Sequence, residues 1–269
     1  MNKLVLIVAA ILLFSCKSIH SVENRNAVTV TIDTLLQDKI SIRALALDHD
    51  KVWYAADQSR FGFIDVKTNQ KKEIKLPSEK NAEFRSIAQT EKYVFILNVG
   101  NPALLYKISK EDLSYVLVYQ ENHDKVFYDS MQFWNDKEGI AIGDPIEGGF
   151  SVITTRDGGV SWQKTPSDRL LHLEDGEAAF AASNTNIVIK GNAIWLVSGG
   201  KKARVFHSRD KGNSWSVVET PIVQGKQMTG IFTADFYNSS VGFISGGNYE
   251  ALNQNFDNKI RMMVEKPGN

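Results

Sequence analysis

Asp157 and Asp210 occupy the same place in two copies of one pattern. The copies read Thr155-Arg-Asp157-Gly-Gly159-Val-Ser161-Trp162 and Ser208-Arg-Asp210-Lys-Gly212-Asn-Ser214-Trp215. A carboxylate beside hydroxyls has the composition of an acid–base catalyst. It also has the composition of a self-stapled turn, because an Asp at the head of a turn accepts backbone N–H bonds and a Gly two residues later can take a positive φ. The flanks favour the staple. Each copy lies between two β-like runs, Phe150 to Thr154 and Trp162 to Lys164, then Arg204 to Ser208 and Trp215 to Val218. Each is therefore read as a hairpin turn, with the Trp opening the next strand as an apolar anchor.

The elements that would carry these turns are short strands. Period-two alternation begins at Val28 and continues to the end of the chain, punctuated at Thr68-Asn69, Gly100-Asn101-Pro102, Gly148-Gly149, Gly199-Gly200 and Gly246-Gly247, with no helical stripe of useful length. Stacking the strands exposes a repeat. First strands begin at Ile42, Phe84, Tyr128, Ala178 and Ile231, second strands at Val52, Val94, Gly139, Ile194 and Gly242, and third strands at Gly62, Leu104, Phe150, Ala203 and Ile260. A fourth strand closes each of the first four units. The spacing is that of four-stranded propeller blades, so an all-β propeller with four full blades and part of a fifth is expected.

The doubled pattern resembles the Asp-box (BNR) repeat, which sits between the third and fourth strands of propeller blades. The wider chain is similar to bacterial propellers related to photosystem II stability and assembly factors, some of which carry the label oxidoreductase. The matching stretches are Ile40 to Leu45, Gly143-Asp144-Pro145, Gly176 to Ser183, Gly199 to Arg204, Gly230 to Phe232 and Gly246 to Tyr249. The structural set implied by the resemblance is Thr155, Asp157, Gly159, Ser161, Trp162, Ser208, Asp210, Gly212, Ser214 and Trp215. The chain departs from the family where Asp65 to Asn69 and Ser109 to Asp112 replace the box, and where no box follows Tyr249. Relatives continue for further blades, so a seven-bladed fold incomplete at the C-terminus is expected, with Val28 to Ile32 available as an outer strand for the last blade.

Strand count places the box turns on one face of such a propeller. The turns between second and third strands, together with the blade-to-blade loops, fall on the other. Asp144, Lys201, Asn248 and Tyr249 lie in the former and Glu177 in the latter. Arg43, Arg85 and Asp129 share one repeat position on the innermost strands, where an apolar residue would be ordinary. These eight residues form the candidate binding face, expected as a polar funnel for a ligand or a partner loop. The bland alternative is a solvated channel of mutually paired charges.

Enzyme chemistry finds less support. A hydrolase acting on carbohydrate would need paired carboxylates, for which Asp144 and Glu177 are the candidates. A sialidase, suggested by the box, would need an arginine triad and an Arg-Ile-Pro segment; the segment is absent and Arg43, Arg85 and Arg204 make a poor triad. No dinucleotide fingerprint runs from a strand into a helix. The His residues are scattered, so no metal or cofactor is expected. Formal net charge is zero, with no basic excess for nucleic acid.

The N-terminus reads as an export signal. Met1 to Ser15 combines a short basic start with an apolar run from Leu4 to Phe14, too short to span a bilayer, and ends at Cys16, the only cysteine in the chain. This resembles a bacterial lipoprotein signal, with Cys16 as the lipidation site, residues 16–27 as a polar tether and residues 28–269 as the propeller domain. Lys17 and Ser18 favour the periplasmic face of the outer membrane. The expected protein is an envelope lipoprotein that binds a protein or glycan partner without catalysis. Cys16→Ser is expected to shift the protein from the membrane to the soluble fraction on ultracentrifugation; unchanged fractionation would count against the anchor.

Overall fold

The computed structural model describes residues 29–77, 81–166, 171–180, 184–254 and 258–263. Cys16 and the tether lie outside them. The chain divides into two units, Met1–Leu36 and Gln37–Asn269. In the first, Thr29 to Ile32 form no strand, and Val30 and Ile32 are exposed. The outer strand expected there is thus not formed; alternation marks a face to bury but supplies no partner to bury it against.

The second unit contains antiparallel sheets and, among the described residues, no helix. The first sheet is β1 (Ile42–Asp48), β2 (Lys51–Ala56), β3 (Arg60–Asp65) and β4 (Lys71–Lys75). The second is β5 (Glu83–Gln89), β6 (Tyr93–Val99), β7 (Ala103–Ser109) and β8 (Tyr115–Glu121). The third is β9 (Tyr128–Phe133), β10 (Gly139–Ile146), β11 (Gly149–Thr155) and β12 (Gln163–Lys164). Next along the chain come β13 (Glu177–Ala178), β14 (Ile187–Lys190), β15 (Ala193–Val197), β16 (Gly199–Gly200), β17 (Arg204–Ser208) and β18 (Ser216–Glu219). Of these, β14, β15, β17 and β18 make the fourth sheet. The fifth joins β13 and β16 to β19 (Thr229–Phe236), β20 (Val241–Asn248) and β21 (Lys259–Met263).

One expected strand differs. The fourth sheet starts at Ile187 rather than Ala178. Asn184, at φ 60, breaks the run, and its side chain bridges the neighbouring inner strands: Nδ2 donates to the Ile87 carbonyl at 2.8 Å and Oδ1 accepts from the Met131 N–H at 2.9 Å. Glu177 and Ala178 pair with Gly200 and Gly199 instead. Ala181 to Ser183 lie outside the described residues.

The core sits between sheets, which explains the unbroken apolar runs Val94 to Leu97 on β6 and Ala193 to Val197 on β15. On β6, Val94 and Ile96 face the first sheet, packing with Trp53, Phe61 and Phe63, whereas Phe95 and Leu97 face the third, packing with Met131, Ile153 and Trp162. On β15, Ile194 and Leu196 face the third sheet, and Trp195 and Val197 the fifth. Period two thus serves two neighbours at once, and each fully buried large side chain contributes about 1.5–3 kcal/mol.

Both copies of the repeated motif form the turn between third and fourth strands. Asp157 Oδ1 accepts the N–H groups of Val160 and Ser161, each at 3.0 Å, and its Oδ2 accepts the Ser161 hydroxyl at 2.7 Å. Thr155 donates to Asp157 and accepts from the Gly159 N–H, both at 2.9 Å. In the second copy Ser214 N–H and Ser208 hydroxyl donate to Asp210 at 2.8 and 2.7 Å, and Ser208 accepts from Gly212 N–H at 2.8 Å. Trp162 is buried against Phe133 and Phe95. A Cβ on Gly159 would come within 2.2 Å of the Phe95 ring, so only glycine lets the turn close over this anchor. The equivalent turn of the second sheet rebuilds the same chemistry at altered spacing: Ser109 accepts from Glu111 and Asp112 N–H groups, and Asp112 accepts from the Ser114 N–H and hydroxyl.

The donors around each carboxylate favour its ionised form. The Ser161 hydroxyl leads at Asp157 and the Ser214 hydroxyl at Asp210, holding both groups down at about 2. Folding lowers these values, so the stabilisation is complete above about pH 4 and fades as pH falls toward about 2. The double variant Asp157→Asn, Asp210→Asn is therefore expected to melt below wild type at neutral pH. The gap should narrow steadily in melts run from about pH 5 to about pH 2; a gap independent of pH would contradict this.

Candidate functional site

The two faces of the sheet array differ in chemistry. On the motif face, charged groups are spent on holding neighbouring sheets together. Glu138 takes an ion pair from Arg156 of its own sheet and another from Lys211 of the next, and Lys211 leads in holding its carboxyl down at about 2. Lys107 Nζ donates across to the Gly158 carbonyl at 2.8 Å, and Asp136 accepts the Glu91 N–H at 2.8 Å. Lys110 reaches Asp48 at 3.0 Å.

On the opposite face a local irregularity recurs. Arg43, Arg85, Asp129 and Phe232 are each the extra residue of a β-bulge on an innermost strand, where the register skips between Ile42 and Ala44, Phe84 and Ser86, Tyr128 and Ser130, and Ile231 and Thr233. A bulge removes one residue from the ladder and re-aims its side chain. The shared repeat position thus has a backbone cause. At two of the four, glycines on the second strand give clearance: a Cβ on Gly143 would stand 2.2 Å from the Phe127 carbonyl oxygen, and one on Gly246 would stand 1.8 Å from that of Gly230.

The four bulge residues do not share one environment. Arg43 is exposed. Arg85 is half-buried, donating to Glu83 Oε1 through Nε at 3.0 Å and Nη2 at 2.8 Å, with its guanidinium 6.0 Å from the Phe127 ring. Asp129 is fully buried, not lining an open channel, and neither of its oxygens has a hydrogen-bond partner. A second bulge on β10, between Gly143 and Pro145, sets Asp144 out of its ladder as well. The two carboxyls act on each other. Burial first, and then the neighbouring Asp144, push Asp129 well above the usual carboxylate range, with Arg85 opposing. Burial pushes Asp144 up to about 6 against one hydrogen bond from the Ala179 backbone, and its Oδ1 remains unpartnered. Both carboxyls therefore keep their protons to higher pH than an ordinary aspartate.

Glu177 belongs elsewhere. Its carboxylate receives Arg204 through Nε at 2.9 Å and through Nη2, together with the Ser198 hydroxyl and the Glu174 N–H at 3.0 Å. It is saturated, and the carboxyl that meets Asp144 is Asp129. Asn248 accepts from the Glu250 N–H at 2.9 Å, and Lys201 is exposed with its N–H on the Gly176 carbonyl. Tyr249 stacks on Phe232 at 4.2 Å, with Phe180 edge-on to Phe232 at 4.8 Å. Phe180 directly follows Ala179, the residue that donates to Asp144. Sequence reading missed Phe180 and Phe232; Phe232 was visible as the aromatic occupant of the repeat position held by Arg43, Arg85 and Asp129.

Comparison with solved structures agrees with this architecture. The chain is similar to the structure of U3-55K (TM-score 0.56, 14% identity, 80% of this chain and 63% of that one). It is also similar to the extracellular domain of a hybrid two-component system from B. thetaiotaomicron (TM-score 0.55, 10% identity, 84% of this chain and 28% of that one). The chain is a β-propeller. YCF48 bound to a D1 peptide also aligns, over 84% of this chain and 94% of that one at 12% identity, with a TM-score of 0.39 that carries no argument. The propeller thus spans 63% of the first relative's length and 28% of the second's. No family model and no curated protein matches the sequence. At these identities the likeness concerns the fold, and function rests on the faces just described.

Proposed function

We propose that this protein is a non-catalytic binding scaffold of the Asp-box propeller type, recognising its partner with the face opposite the repeated motifs. The observation that carries this reading is the contrast between faces. Motif-face carboxylates are consumed by turns and by ties between blades. The opposite face holds the unpartnered, buried carboxyl oxygens of Asp129 and Asp144, and also the exposed ring of Tyr249. Buried polar groups without partners are costly, and ligand contact is one way in which such a cost is offset. The N-terminal segment supports an address in the bacterial envelope, lipid-anchored through Cys16, with the periplasmic face of the outer membrane favoured.

A second reading, a carbohydrate-active hydrolase, draws on the proton-holding pair Asp129 and Asp144, which has the makings of an acid and a base. One experiment separates the two. Wild type, Tyr249→Ala and the motif-face control Val160→Ser are used to capture partners from an envelope extract by crosslinking, and each is assayed against a glycan panel. The scaffold reading expects capture by wild type and control, several-fold loss with Tyr249→Ala, and no turnover. Equal capture by all three, or turnover by wild type that Asp144→Asn abolishes, would overturn it.

A further inference from the structure

The face opposite the motifs carries a pocket of about 660 Å³ at the end of the second sheet. Three connections converge on it: the approach to β5, the turn from β6 to β7, and the exit from β8. Its walls are fixed by bonds within the protein. Buried Asn98 staples the turn, donating through Nδ2 to the Val99 and Pro102 carbonyls, each at 3.0 Å, and accepting the Leu104 N–H through Oδ1 at 2.5 Å. Ala82 accepts the Ser59 N–H at 2.7 Å and donates its own N–H to the Ser59 hydroxyl at 2.8 Å. The Tyr106 hydroxyl donates to the Pro77 carbonyl at 3.0 Å. The amide side chains around the opening are left over. Among the described residues, those of Asn81, Gln120 and Asn122 are exposed and make no hydrogen bond to the protein. Asn101 spends one N–H on Asp124 at 3.3 Å and keeps its side-chain carbonyl oxygen free. Among the described residues no Lys, Arg or aromatic ring lines the pocket, and the one carboxylate in its wall, Glu83, is already held by Arg85 through Nε at 3.0 Å and Nη2 at 2.8 Å.

We propose that this pocket binds a neutral glycan, with Asn81, Asn101, Gln120 and Asn122 as its hydrogen-bonding groups. This rests on the reading that the face opposite the motifs is the binding face, and it names the ligand class taken there. A primary amide offers two donors and a carbonyl acceptor in one plane. A sugar hydroxyl is likewise donor and acceptor at once, so one amide can engage two neighbouring hydroxyls. The half-buried Val99, Pro102 and Leu104 supply apolar surface for the C–H face of a sugar ring. The volume lies within the range of about 300–1,000 Å³ usual for ligand sites. Charged ligands fit poorly: an anion meets no cation in the lining, and a cation must compete with Arg85 for Glu83. A peptide fits poorly too, because its usual modes of recognition need an open strand edge, a long apolar groove, rings for proline or an arginine cluster. The strands with an open edge, β5 and β8, contribute one lining residue each, Glu83 and Gln120, which is too little for strand addition.

The test titrates the purified protein with N,N′-diacetylchitobiose, cellotriose, maltotriose and mannotriose, and separately with acetyl-tetraalanine amide, following amide chemical shifts. At least one saccharide is expected to saturate shifts of the Asn101, Gln120 and Asn122 side-chain amides and of the Gly100 N–H, with no effect of the peptide there. Its affinity should stay within about twofold between about 50 and about 500 mM salt, because the interaction involves no net charge. The double variant Gln120→Ala, Asn122→Ala changes exposed side chains with no bond to lose. It is expected to weaken saccharide binding about tenfold or more with an unchanged melting temperature. The motif-face control Val160→Ser should bind as wild type does. Failure of every saccharide, saturation at some other place, a steep loss with salt, an undiminished double variant, or binding of the peptide in place of the saccharides would overturn the proposal. If the saccharides fail while partner capture still depends on Tyr249, the binding face stands and only the ligand class falls.

Discussion

The extra residue on the innermost strands is the constraint on which the rest of this propeller depends. An antiparallel ladder sends alternate side chains to opposite faces, and here both faces are sealed by neighbouring sheets. A charged side chain in register would have to enter that apolar layer. The bulge lifts it out of register at a cost of one unpaired residue per strand. In the third and fifth sheets the second strand passes so close to the inner-strand backbone that a Cβ at Gly143 or Gly246 would not fit. Glycine clusters that look like ligand loops in the sequence are therefore first of all clearances for a backbone.

The division of labour between faces follows from the same geometry. At the motif end, third and fourth strands are joined by turns whose carboxylates are filled by hydroxyls and N–H groups within a few residues. Long side chains from adjacent blades then tie those turns together, as Glu138 does with Arg156 and Lys211. At the other end the bulges deliver Asp129 and Asp144 to one another, and the cation that acts on Asp129, Arg85, is engaged with Glu83.

Much of the fold was legible because its signals are local. Alternation, turn chemistry and the repeated motif located the blades, and Arg43, Arg85 and Asp129 stood out as sharing one repeat position before its backbone cause, the bulge, was visible. What was not legible depends on contacts across the fold. Asp144 pairs with Asp129 and not Glu177 because two bulges on adjacent strands coincide, and periodicity does not report a bulge. The Glu177 and Arg204 pair joins a blade-to-blade loop to a strand, with no spacing rule to reveal it. The first strand of the fourth blade begins only at Ile187, beyond Asn184, whose side chain is held by two neighbouring strands. Val30 and Ile32 follow the pattern of a strand but lie exposed, since pattern specifies burial only where a partner sheet exists.

The central claim is that two bulges bring a pair of aspartates together and hold both carboxyls above the ordinary range. The direct measurement is a carboxyl carbon NMR titration of aspartate-labelled protein, with Asp129→Asn and Asp144→Asn supplying the assignments. Asp144 is expected to titrate at about 6, with Asp129 well above the ordinary carboxylate range and moving back toward it when Asp144 is neutralised. Two independent titrations in the ordinary aspartate range, each indifferent to substitution of the other, would contradict the account.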